Sequence, residues 1–120
     1  MAIFTKVLLS GSTGGMPIKI TNTASPGTLI HTTELNSSII DEIWLYATNT
    51  SSVQATLTIE YGGSTDPDNF IDIAIPAQSG LSIILPGLVL SGNNTVGRSI
   101  NAHSATANVI NVVGYINRIS

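Results

Sequence analysis

The chain is short of charge. Only 9% of its 120 residues are Asp, Glu, Lys or Arg, against about 25% in an ordinary soluble protein. Ser, Thr and Asn supply the missing polarity. Hydroxyls and amides cost less to desolvate than ions, so such a surface suits burial against partners. The other explanation is a secreted or particle-borne domain with a neutral surface. Cysteine is absent, which excludes disulfides, thiolate metal sites and Cys nucleophiles. There is no basic run. Lys6, Lys19, Arg98 and Arg118 are scattered and the net charge is −3, so a nucleic-acid footprint is missing. No apolar stretch is long enough to span a bilayer. The longest, Leu81 to Leu90, is broken by Pro86 and Gly87. The first residues, MAIFTKVLLSGS, lack the long apolar core and small-residue cleavage site of a signal peptide. The expectation is synthesis in the cytoplasm without export by the general secretory route, with neither a membrane nor a nucleic acid as partner.

What is present is a strand alphabet. Ile, Val and Thr are abundant, and these β-branched residues suit extended backbone. Gly, Pro, Asn and Ser clusters punctuate the chain at short intervals. The expected strands are Ala2–Leu9, Pro17–Asn22, Thr28–Thr33, Ile39–Thr48, Val53–Tyr61, Phe70–Ile75, Leu81–Leu85, Val96–Ala102 and Asn108–Ile119. Val53, Ala55, Leu57, Ile59 and Tyr61 alternate with Gln54, Thr56, Thr58 and Glu60. One face of that strand should pack on a core and the other should meet water. The length and pattern predict one all-β domain over residues 1–120, a two-sheet antiparallel β-sandwich of jelly-roll or Greek-key type.

Several strands are apolar on both faces. In Ile39–Thr48, Ile43, Leu45 and Ala47 point one way, while Ile40, Trp44 and Tyr46 point the other. In the last strand Val113, Tyr115 and Ile119 oppose Ile110, Val112 and Ile116. The first run sets Ile3 and Val7 against Phe4 and Leu8. Outer residues of this kind need cover, from a partner or from a loop of the same chain. Aromatic anchors are the usual content of partner interfaces. Phe4, Ile40, Trp44, Tyr46 and Tyr115 are the candidate interface residues.

Catalytic and metal patterns are weak. His31 and His103 have no metal-ligand spacing. No GxSxG elbow accompanies the many serines. Both histidines are better read as surface or satisfied structural residues. Asp41 and Glu42 are adjacent, so on a strand they face opposite ways. Asp66, Asp68 and Asp72 lie in or near one loop and could offer oxygens to Ca²⁺. Asp, Pro and Asn are also the ordinary material of a turn. SGSTGG at 10–15 lacks phosphate-loop spacing. The Asn-x-Ser/Thr triplets at 36, 49 and 93 are expected by chance in a chain so rich in these residues. No catalytic, metal or cofactor residue is therefore assigned, and the chain is expected not to be an enzyme.

The segments KVLLSGSTGGMPIKI (6–20), SPGTLIHT (25–32), DEIWLYATNTSSVQATLTIEYGG (41–63), IPAQSGLSIILPGLVL (75–90) and ANVINVVGYINRIS (107–120) resemble the small β-sandwich virion proteins of tailed, notably marine, bacteriophages. The resemblance covers most of the chain through sequence habits, not active-site motifs. It implies a capsid decoration (cement) protein on the virion's capsid surface, a homo-oligomer, commonly a trimer, bound to the major capsid protein or other virion proteins. A tail or fibre accessory with an adhesive or receptor-binding role is the other form it implies. Neither form carries catalytic residues.

Overall fold

The computed structural model describes residues 2–120. They form nine strands and no helix: β1 (Phe4–Val7), β2 (Ile18–Lys19), β3 (Thr28–Thr32), β4 (Ile40–Asn49), β5 (Ala55–Tyr61), β6 (Phe70–Ile75), β7 (Ser82–Leu90), β8 (Ser99–Ser104) and β9 (Ile110–Ile119). One sheet runs β1-β9-β4-β7, with β2 also on β9. The other runs β3-β8-β5-β6. All pairings are antiparallel.

The order is that of a jelly roll. With β1 and β2 taken as one interrupted strand on β9, the pairs β1/β2–β9, β3–β8, β4–β7 and β5–β6 nest inside one another. The chain is thus one long folded ribbon wound into two layers. The innermost hairpin is β5–β6, and the outermost pairing joins the beginning of the chain to its end. There, Ile3 and Ser120 exchange backbone hydrogen bonds of 2.8 and 3.0 Å.

Between the layers lies a core of aliphatic side chains. Ile20, Ile30, Ile43, Leu45, Leu57, Ile59, Ile100, Ile110 and Ile116 are fully buried. No aromatic ring is among the buried core residues. Where β4 and β9 run closest, Gly114 replaces a side chain. A Cβ there would collide with the Trp44 carbonyl and the Leu45 backbone, so the close approach requires glycine.

Strand limits differ from the sequence pattern for local reasons. Val53 lies outside β5. The Asn49 amide and the Ser51 hydroxyl both donate to its carbonyl, at 2.8 Å each, and hold it in a turn. β8 starts at Ser99, not Val96. The Asn93 side chain accepts the Thr95 and Val96 amides at 3.0 and 2.8 Å and makes residues 93–97 a loop. β7 runs on through Pro86 and Gly87 to Leu90, with two register shifts against β4. Proline is tolerated there because β7 is an edge strand.

Candidate interaction surface

The five residues singled out from the sequence come together. Register places Phe4 opposite Ile119, Ile119 opposite Ile40, Trp44 opposite Tyr115 and Tyr46 opposite Val113. Directly opposed residues in a sheet share a face. The alternate residues Ile43, Leu45, Ala47, Val112 and Ile116 are the buried ones. Phe4, Ile40, Trp44, Tyr46 and Tyr115 therefore lie on the outer face of the five-stranded sheet. Phe4 and Ile40 are exposed, and the three rings between β4 and β9 are half-buried.

The middle of this face is built as a row across four strands. Lys6 Nζ from β1 sits 4.7 Å from the Tyr115 ring centroid, within cation–π range. Tyr115 stacks on Trp44 with centroids 6.3 Å apart and planes 12° apart. On the far side, Gly87 of β7 lies against the indole. A Cβ there would come within 2.8 Å of Trp44 Cζ2, and its φ of +83° is one that glycine adopts freely. The indole is thus flanked by a ring on one side and bare backbone on the other.

Polar groups hold the row in place. Glu42 Oε1 accepts hydrogen bonds from Trp44 Nε1 (2.7 Å) and Asn117 Nδ2 (3.0 Å). These two bonds hold the Glu42 carboxyl below its usual range, against a smaller opposing effect of desolvation. The Tyr61 hydroxyl reaches from the other sheet to donate to the Val89 carbonyl at 2.8 Å. Burial pushes that phenol up to about 12.

Both histidines are partners of buried carboxylates, a pairing the sequence pattern did not reveal. His31 Nδ1 accepts the Ser10 amide at 3.1 Å, so Nε2 carries the proton and donates to Asp41 Oδ2 at 2.8 Å. Arg118 grips the same carboxylate through Nε (2.7 Å) and Nη2 (2.9 Å), and reaches Glu34 with Nη1 (3.0 Å). Burial alone would raise the Asp41 carboxyl. The bonds from Arg118 and His31 outweigh it, and the group sits below its ordinary value. The same bonds raise the Arg118 guanidinium. A signal was available in the sequence: Asp41 interrupts the inward face of Ile43, Leu45 and Ala47, and an inward carboxylate needs partners.

Glu60 departs from the water-facing position expected of it. It is fully buried beneath the segment around Ser25 and Gly27 and the loop at Ser64. Ser25 and Ser64 hydroxyls donate to Oε1 at 3.1 and 2.9 Å, and His103 Nδ1 donates to Oε2 at 2.7 Å. Gly27 adds its amide. Burial raises this carboxyl, and the donors bring it below its ordinary value. Asp41 and Glu60 are thus committed to structural hydrogen bonds. The Ser10 hydroxyl accepts the Thr32 amide at 2.7 Å, while it is the Ser10 backbone amide that bonds His31.

In the acidic loop, Asp72 Oδ1 accepts from the Thr58 hydroxyl at 2.8 Å, and Asn69 is used in bonds to Thr65 and Tyr61. Among the described residues no three of His, Asp and Glu gather as a metal-ligating group. Asp66 and Asp68 find no third such side chain.

No family model matches the chain. Nor does any curated protein or solved structure. The reading of function therefore rests on the chain itself.

Proposed function

We propose that this protein is a structural subunit of a phage particle, and specifically a decoration protein that seats the outer face of its five-stranded sheet on the assembled capsid. The observation that carries this is the placement of the rings. Of six aromatic residues in the chain, Phe4, Trp44, Tyr46 and Tyr115 lie on that one face, while the core is aliphatic. Aromatic side chains ordinarily dominate cores and interfaces. A domain that groups four of its six rings on one outer face offers them to a partner. The scarcity of charge points the same way, because an interface core is depleted of ions.

The mechanism is mass action. A subunit that binds the closed shell and not its free parts stabilises the shell. Repetition over many equivalent positions multiplies a modest contact. The jelly roll also serves viral capsid and lectin domains, a likeness at the level of fold alone. The subunit is proposed to act as a homo-oligomer, trimeric in this reading, at the capsid surface.

The same face would serve a tail or fibre accessory. Between the two, the flanked indole favours the capsid. A ring between Tyr115 and Gly87 presents its edge, and a receptor glycan stacks on a ring's open face.

Copy number tests this directly. Quantitative mass spectrometry of purified particles, with imaging of the labelled protein, should find hundreds of copies on the shell. A few copies confined to the tail would replace the capsid reading, and absence from particles would end it.

A further inference from the structure

Across the outer face of the five-stranded sheet, register sets Lys6 of β1 opposite Asn117 of β9, and Asn117 opposite Glu42 of β4. An amine, a carboxamide and a carboxylate therefore stand in one row, with the amide in the middle. Directly opposed side chains have Cβ atoms about 5 Å apart, so the flexible Lys6 chain can reach its neighbour. Glu42 Oε1 already accepts from Asn117 Nδ2 at 3.0 Å, and Trp44 Nε1 donates to the same oxygen at 2.7 Å. Lys6 is not drawn away by an acid. Among the described residues no carboxylate pairs with it, and its Nζ lies over Tyr115, the next residue of β9 on the same face. The rows on either side are apolar: Phe4, Ile119 and Ile40 on one, Tyr115 and Trp44 on the other. They restrict water around the half-buried Asn117, and water is the nucleophile that competes for its amide carbon.

We propose that this row is a self-modification site, at which the Lys6 amine condenses with the Asn117 side-chain amide to form an isopeptide bond, with Glu42 carrying the proton. The uncharged amine attacks Asn117 Cγ through its lone pair. As the Nζ–Cγ bond forms, the Glu42 carboxylate takes a proton from Nζ and passes it to Nδ2. The Cγ–Nδ2 bond then breaks, and ammonia leaves with that electron pair. The products are one secondary amide and one ammonia. Nothing is oxidised or reduced, and no co-reactant is needed. Register supplies the positioning that such a reaction requires. Glu42 is the catalytic group, since it touches the leaving nitrogen and can act as base and then as acid. The bond would tie β1 to β9. β1 is only four residues long and mostly exposed, so little else holds it. A cross-link from residue 6 to residue 117 closes a loop over most of the chain, the kind that restricts an unfolded chain most. The site lies within one chain and does not depend on what the face docks against.

Intact-mass spectrometry of the purified full chain is the test. The folded protein, held at alkaline pH where lysine amines lose their proton, should become lighter than its sequence by one ammonia. Peptide mapping should find residues 6 and 117 in one branched peptide. Lys6→Arg keeps a cation beside Tyr115 and should lose no ammonia. Wild type unfolded in urea should form no branched peptide. Glu42→Gln should slow the loss by about 100-fold or more, the usual worth of a positioned base. Should that variant fail to fold by circular dichroism, Glu42→Asp, one methylene short, replaces it and should also be slower than wild type. A wild-type mass that never falls overturns the proposal. So does the small mass gain of an Asn117 hydrolysed to an acid, a branched peptide joining other residues, or an equal loss of ammonia from Lys6→Arg. A loss from Glu42→Gln at the wild-type rate removes Glu42 from the chemistry. Binding to purified shells is read separately, so a chain that attaches without the bond leaves the decoration reading standing, and a bonded chain that never attaches removes that reading alone.

Discussion

The two sheets share a core and differ in what they show the outside. Across β3-β8-β5-β6 the outward positions include Thr32, Ser99, Asn101, Thr56, Thr58 and Asp72, tied together by bonds such as Thr32–Ser99 (3.1 Å) and Thr58–Asp72 (2.8 Å). Across β1-β9-β4-β7 they include Phe4, Ile119, Ile40, Tyr115, Trp44, Tyr46 and Ile83. Both sheets have the same kind of aliphatic inner face. The difference is therefore not a demand of the fold. It lies in the outer side chains, polar on one sheet and largely apolar and aromatic on the other.

The largest expected effect comes from breaking the backbone beneath the aromatic row. Gly114→Val forces a branched side chain into the Trp44 and Leu45 backbone. It should cost about 3 kcal/mol or more in a urea melt. The strands β3, β5, β6 and β8 contain no glycine; the close glycine approaches to that sheet come from outside its strands, at Gly11 and Gly27.

Next is Trp44→Ala. If the proposed decoration role holds, it should weaken attachment to the particle by about 2 kcal/mol, or about 30-fold, as a central aromatic anchor does. Folding should fall by less, mainly through the lost stack on Tyr115. Binding to purified shells and urea midpoints separate the two effects.

Acid probes the buried carboxylates, one inside each half of the comparison. Asp41 and Glu60 both hold their protons less tightly folded than unfolded. Their stabilisation is complete above the ordinary values of 3.8 and 4.5, and is lost as pH falls through the lower folded values. The urea midpoint should drop progressively below about pH 4.5. Asp41→Asn should remove part of that slope, and a flat profile from neutral to pH 3 would contradict the pairing.

The smallest effect should come from the polar sheet. Thr56→Lys at an exposed position of β5 should change stability by no more than about 0.5 kcal/mol, and leave attachment and oligomeric mass as in wild type. A loss of attachment there would move the interface to the other face.

The two-faced strands were legible in the sequence because a period of two is unambiguous over ten residues. In β4 the parity of Ile43, Leu45 and Ala47 against Ile40, Trp44 and Tyr46 holds in the fold. The jelly-roll order was not, since pairing β3 with β8 joins residues 67 to 74 positions apart and no local signal carries that. Turn chemistry hid Val53 and Val96, which look like strand residues but are fixed by Asn49, Ser51 and Asn93. Glu60 was misplaced for a related reason. Alternation assigned it to the polar face correctly, but could not show that Ser25, Gly27 and Ser64 would close over it.

The position of β9 has a consequence for how the molecule is made. It is the ninth of the nine described strands, yet it fills the slot between β1 and β4. During synthesis the sides of β1 and β4 that face β9 stay unpaired until β9 has left the ribosome. Folding governed by such distant pairing is slow, and the waiting edges are where nascent chains stick to one another. Yield in the cell should therefore depend on chaperone supply and expression temperature more steeply than the finished protein's stability would suggest.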